Sequence, residues 1–180
     1  MGFEEYDGSV GFEYEPVDVV PEPPVPEGYA VSALRRFDWR PRLSLDRRIS
    51  PSGLQVYEPL VEARYRQPWA IRAVAPLILR VQGIRDEMVA VRVKGSQEIV
   101  AWSSCDAVGS GPTSIGARLD PAYAHLASFF LQYALHRATT LAPEHRITFS
   151  ARSWMTALLL AADELGLQRK TESLSLGLKL

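Results

Sequence analysis

Apolar and polar positions alternate most regularly in the last third of the chain. Ile115, Ala117 and Leu119 recur at period two over 113–119, the spacing of a strand with one buried face. Asp120-Pro121 supplies a capping side chain and a first-turn proline, so a helix is expected over 122–141. Its apolar residues Leu126, Phe129, Phe130, Tyr133 and Ala134 recur at spacings of three and four, and Pro143 closes it. Residues 146–152 alternate Ile147, Phe149 and Ala151 with Thr148, Ser150 and Arg152, a second strand. Ser153 is placed to cap a second helix carrying Trp154, Leu158, Ala161, Ala162 and Leu165, with Gly166 suited to the left-handed position after its end. Leu174, Leu176, Leu178 and Leu180 then alternate with Ser173, Ser175, Gly177 and Lys179 as a last strand.

Upstream the pattern is less regular. Residues 29–36 suit a first strand, and 54–66 carry Leu54, Tyr57, Leu60, Val61 and Tyr65 at helical spacing, interrupted by Pro59. A further helix is expected over 69–81, broken near Pro76. Met88 to Val93, the turn Lys94-Gly95-Ser96, and Ile99 to Trp102 predict an antiparallel hairpin. The expected order is strand, helical region, three meandering strands, helix, strand, helix, strand.

Composition adds a charge asymmetry. The net charge is −1, yet residues 1–27 hold eight acids and no Lys or Arg, which leaves 13 acids against 20 basic residues, a net +7, over the rest. Two similar aromatic-acidic segments, 2–6 and 11–15, precede Pro16, Pro21, Pro23, Pro24 and Pro26. This reads as an acidic, proline-rich tail and linker over 1–27, able to fold back on the basic body or to dock on a protein partner through its Phe and Tyr anchors. The domain proper is expected over 28–180, and 47% hydrophobic residues suffice for its core.

A single cysteine, Cys105, excludes an intrachain disulfide, and the acidic start and short apolar runs match neither a signal peptide nor a membrane span. A soluble, cytoplasmic protein is expected. His125, His136 and His145 lack carboxylates at ligand spacing, so no metal site is expected. Arg35, Arg36, Arg40, Arg42, Arg47 and Arg48 lie close together; they read as a solvated loop, with nucleic-acid binding the alternative. Gly109 to Gly116 resembles a phosphate loop only superficially, because it leads into a strand and has no Gly-Lys-Ser/Thr ending.

The order of elements over 28–180, with Leu165-Gly166-Leu167 ending the last helix and Leu119-Asp120-Pro121-Ala122-Tyr123 opening the previous one, resembles the GNAT acetyltransferase superfamily. The resemblance implies an α/β (α+β) fold, three layers α/β/α around a mixed, mostly antiparallel sheet that splays open beside the strand 113–119. Acetyl-CoA or another acyl-CoA would lie in that opening. By position in the strand-to-helix turn, Arg118, Leu119, Tyr123 and His125 are the residues it implies for the cofactor.

Two features depart from that family's chemistry. Its glycine-rich pyrophosphate loop is replaced by Tyr123-Ala124-His125-Leu126-Ala127-Ser128, preceded by the carboxylate of Asp120. The Tyr often found four residues before the helix-ending glycine, a proton donor to the departing thiolate, is Ala162 here. Catalytic residues are accordingly not assigned: Arg118, Thr148, Ser150 and Arg152 make no base, and Glu98 and Asp106, the best-placed acids, read as hairpin-surface charges. The expectation is a GNAT-like binding or structural module. The alternatives are an active acyl-CoA-dependent N-acetyltransferase with an atypical cofactor loop and, less favoured, an arginine-rich nucleic-acid-binding domain.

Overall fold

The computed structural model describes residues 2–35, 37–66, 68, 74, 79, 81 and 83–179, with backbone only at 2–6 and 177–179. Among these residues seven strands form one sheet: β1 (Gly2–Tyr14), β2 (Tyr29–Ala33), β3 (Ile84–Val93), β4 (Ile99–Val108), β5 (Thr113–Leu119), β6 (Ile147–Arg152) and β7 (Gln168–Lys179). Their order across the sheet is β2-β3-β4-β5-β6-β1-β7. The β5–β6 pair is parallel and the others are antiparallel.

The largest departure from expectation is at the N-terminus. Residues 2–14, expected in a tail outside the domain, form β1, which lies between β6 and β7. Glycines and acids obscure its period-two pattern, but Val10 and Phe12 point into the core at 8% and 1% exposure. Phe12 stacks on Phe149 of β6, ring centroids 5.8 Å apart. The acids that made the segment look solvated meet cations instead: Asp7 pairs with Arg152, and Glu13 lies 3.3 Å from Arg146. The proline-rich stretch that follows is fastened to a helix. His136 Nδ1 donates to the Val20 carbonyl at 2.7 Å, and Val20 N–H donates to Thr139 Oγ1 at 3.1 Å.

Helices cover both faces. On one lie α1 (Trp39–Ile49), α2 (Ser52–Tyr57) and α3 (Glu62–Tyr65). The arginine cluster read as a loop thus belongs largely to α1. Pro41 falls in its first turn, where backbone N–H groups have no partner to lose, and Leu43, Leu45 and Ile49 bury its inner side. The helical pattern of 54–66 is divided at Pro59 into α2 and α3. The helix expected over 69–81 lies largely outside the described residues.

The second face carries a 3₁₀ segment, Pro121–Leu126, continuing into α4 (Ala127–Leu141), and then α5 (Thr156–Glu164). The helix expected from 122 therefore starts as a tighter 3₁₀ turn. Phe130, Leu131, Ala134, Leu135 and Ala138 of α4 and Leu158, Ala161 and Ala162 of α5 pack with Ile115, Ala117, Leu119, Ile147 and Phe149 as the main core. A smaller core of Leu34, Leu45, Ile49, Met88, Ala90 and Ile99 lies on the α1 side. The expected left-handed stop of α5 is present: Gly166 has φ +77°, and Leu167 N–H donates to the Ala162 carbonyl at 3.0 Å. The cap expected from Ser153 is absent, because α5 begins at Thr156 after Met155 and makes no side-chain cap bond. The three-layer arrangement matches the expected architecture.

Candidate functional site

The sheet opens where β5 and β6 part. They pair from Thr113↔Ile147 to Gly116↔Ser150, after which Ala117 to Leu119 and Ala151 to Arg152 are no longer bonded to each other. Above the gap, on the α4–α5 face, Leu119, Pro121, Ala124 and residues 154–158 line a narrow, mainly apolar slot. Below it, under α1–α3, a charged cavity of roughly 320 Å³ is bounded by Trp102, Arg118 and Arg152 from the sheet and Arg42, Asp46, Glu58 and Arg64 from the helices. Trp154 lines both hollows and is their common wall.

Residues expected at the strand-to-helix turn are distributed over three places. Leu119, buried at 4%, lines the apolar slot. Arg118 follows the alternation of β5 to the other face, where it is paired in register with Trp102 and faces the charged cavity. Tyr123 and His125 turn toward β2: Tyr29 Oη lies 3.0 Å from His125 Nε2, and the Tyr29 and Tyr123 rings meet edge to face at 6.3 Å.

The turn itself is closed by its own residues. Pro121 has no N–H, Ala122 N–H donates to Asp120 Oδ1 at 2.9 Å, and Tyr123 N–H donates to the Asp120 carbonyl at 2.8 Å. Asp120 is 7% exposed and its second oxygen accepts from Arg48 Nε at 2.7 Å. Arg48 also donates to the Ile99 carbonyl and pairs with Glu98. A helix start attracts an anion through unpaired amides. Here the first three residues offer none, and a protein carboxylate already occupies the position.

The other acid candidates are engaged elsewhere or lie away from the gap. Ala162 is fully buried, Asp163 pairs with Arg169 at 2.6 Å, and Glu164 accepts from Ser128 at 3.0 Å. Asp106 is opposite Ser114, at the end of β5 remote from the gap. Cys105 is buried, donates to the Ala134 carbonyl, and has its thiol pushed up to about 12 by burial. No group of three or more metal-type ligands occurs among the described residues, and none of their helices is long and apolar enough to cross a membrane.

The charged cavity was not foreseen in the sequence. Its centre is Asp46, 6% exposed, which accepts from Tyr65 Oη at 2.7 Å and Trp102 Nε1 at 3.4 Å. Burial, then the bond to Asp46, hold the Tyr65 phenol well above its ordinary pKa. Arg42 and Arg118 stand over the Trp102 ring, 5.7 and 6.0 Å from its centroid. Arg152 pairs with Asp7 and lies 3.0 Å from Glu58, which is 3.8 Å from Arg64. The available signal was the i, i+4, i+8 row Arg42, Asp46, Ser50, a polar face on a segment otherwise anchored by Leu43, Leu45 and Ile49.

The splayed sheet and the order of its elements have counterparts among solved structures. A GCN5-related N-acetyltransferase from Sphaerobacter thermophilus matches 96% of the chain at TM-score 0.61 and 12% identity. A tandem GNAT protein from the clavulanic acid biosynthesis pathway matches 95% at TM-score 0.59 and 12% identity. The fold is a GNAT fold. A third such structure, a GCN5-related N-acetyltransferase from Kribbella flavida, matches 98% of the chain at TM-score 0.53 and 15% identity. The chain spans 51%, 52% and 60% of these three chains, in that order. No protein-family model and no curated protein matches. Within this fold β5 is the strand beside the opening, and the 3₁₀ turn follows directly from its end.

Proposed function

We propose that this domain is a GNAT-fold binding and structural module that does not carry out acetyl transfer. The observation that supports the reading is the self-occupied turn: Pro121, Ala122 and Tyr123 present no free amide, and the Asp120 carboxylate takes the anion position. A pyrophosphate brought there would meet like charge and gain no backbone bonds. The lack of a proton donor at Ala162 agrees with it.

Calorimetry with acetyl-CoA tests the reading. No saturable heat is expected up to millimolar ligand, whereas micromolar binding would overturn it. The apolar slot beside the gap favours a second reading, an acyl-CoA-dependent N-acetyltransferase whose cofactor is held by its pantetheine and acyl parts; that binding result would select it.

As a structural module, the domain pairs with a second GNAT-type unit. β1 and β7 continue beyond the end of β6 as a two-stranded ribbon, on which Leu174 and Leu176 are 66% and 59% exposed. The chain's span of little more than half of its structural neighbours, one of them a tandem GNAT protein, supports a partner of this kind. If the second unit is another copy, sedimentation shows association that Leu174→Lys with Leu176→Lys reverses.

A further inference from the structure

We propose that the cavity under α1–α3 binds a small organic monocarboxylate, with Arg118 holding the carboxylate beside the Trp102 ring. Charge bookkeeping around the cavity leads to this ligand class. Among the described residues four guanidinium groups, those of Arg42, Arg64, Arg118 and Arg152, meet three carboxylates, those of Asp7, Asp46 and Glu58. One positive charge is left over, and the geometry assigns it to Arg118.

Arg152 is shared by Asp7 and Glu58, and Arg64 approaches Glu58. Asp46 has one oxygen on Tyr65 and the other on Trp102. Among the described residues Arg118 has no carboxylate within ion-pair distance. Its protein partners are the Ala117 carbonyl at 2.9 Å and the face of Trp102. A guanidinium with unused donors on a cavity wall matches a planar carboxylate in bidentate fashion.

The remaining walls describe the rest of the ligand. Leu54, Leu60, Trp102 and Trp154 provide apolar surface, and the volume of roughly 320 Å³ accepts a short aliphatic or single-ring body. A cationic amine is disfavoured because Asp46 and Glu58 are already engaged. A dianion exceeds the single surplus charge. The inference does not rest on the acyl-CoA reading, because no residue from Asp120 to Leu126 lines this cavity.

Tryptophan fluorescence, with Trp102 in the cavity wall, is titrated with acetate, butyrate, benzoate and phenylacetate and with the corresponding amides at constant ionic strength. At least one acid is expected to give a saturable change that its amide does not. Arg118→Gln should weaken that binding at least tenfold while Arg118→Lys retains part of it. The proposal is overturned if no acid saturates, if acid and amide bind alike, or if Arg118→Gln binds as the parent does. Should Arg118→Gln fail to fold, the acid-against-amide difference in thermal midpoint of the unmodified protein decides the matter. Acetyl-CoA calorimetry is read separately, so failure of either proposal leaves the other standing.

Discussion

Arg48, near the C-terminal end of α1, meets Asp120 at 2.7 Å, joining the helical layer on one face of the sheet to the start of the 3₁₀ turn on the other. The same carboxylate caps Ala122, so its loss removes a cap and a partly buried ion pair together. Asp120→Ala is expected to cost about 1–2 kcal/mol, the range for losing a capping side chain. Arg48→Ala should cost less when Asp120 is already absent, with a coupling on the order of 1 kcal/mol because Arg48 is partly solvated and keeps Glu98. Urea unfolding of the two single variants and the double variant measures both, and additive effects would show that the contact carries nothing.

The place of β1 between β6 and β7 makes the N-terminus part of the folding unit. Deleting residues 2–14 exposes edges on both neighbouring strands and removes Phe12 from the core. Loss of a cooperative unfolding transition is expected, in contrast to the small effect that removal of a free tail would have. Phe12→Ala should cost about 3–5 kcal/mol, the range for truncating a buried aromatic. A cost below about 1 kcal/mol would mean that β1 is not held as described.

These two regions show where the sequence could be read and where it could not. Residues 113–167 were legible because each element carries its own signal: Ile115, Ala117 and Leu119 at period two, the Asp120-Pro121 start, the Gly166 stop. The signal of β1 is not local. Phe12 is buried only because Phe149 lies beside it, 137 positions later in the chain, and Asp7 is tolerated only because Arg152 meets it. A short acidic segment rich in glycine has the composition of a solvated tail until such partners are known. α1 was obscured for a related reason. Asp46 breaks the apolar row of Leu43, Leu45 and Ile49, and its burial depends on Tyr65 and Trp102, which arrive from α3 and β4. The charged cavity is made of such distant pairings, and so lay outside what periodicity could give.

Gly11 permits the close approach of β1 and β7. A Cβ at this position would fall 2.3 Å from Thr171 Oγ1, and 3.7 Å from Thr171 Cβ. Gly11→Ala therefore forces the threonine or the strand to move, at an expected cost of about 1–3 kcal/mol. Thr171→Ala removes the clashing oxygen and leaves an ordinary contact. The double variant should recover most of the loss, and thermal unfolding of the two singles and the double tests it. Failure to recover would place the strain in the backbone instead of in this pair.

Cys105 links burial to pH. Its thiol is held up to about 12 in the folded protein, from the ordinary 9.0, by burial first and then by Glu87 and Asp106. Below pH 9 both folded and unfolded chains carry the proton and stability is unaffected. Between about 9 and 12 the unfolded chain releases it while the folded one keeps it, so folding binds a proton and this contribution to stability falls as pH rises. The slope amounts to at most about 1.4 kcal/mol per pH unit. Cys105→Ala removes this slope and also costs some packing at every pH, so the diagnostic is the difference in slope between parent and variant above pH 9, measured by urea unfolding. Parallel curves would sink the assignment. The same burial predicts that a maleimide labels Cys105 only as fast as the protein opens. Labelling of the folded protein at the rate of a free thiol would contradict the hydrogen bond to the Ala134 carbonyl under α4.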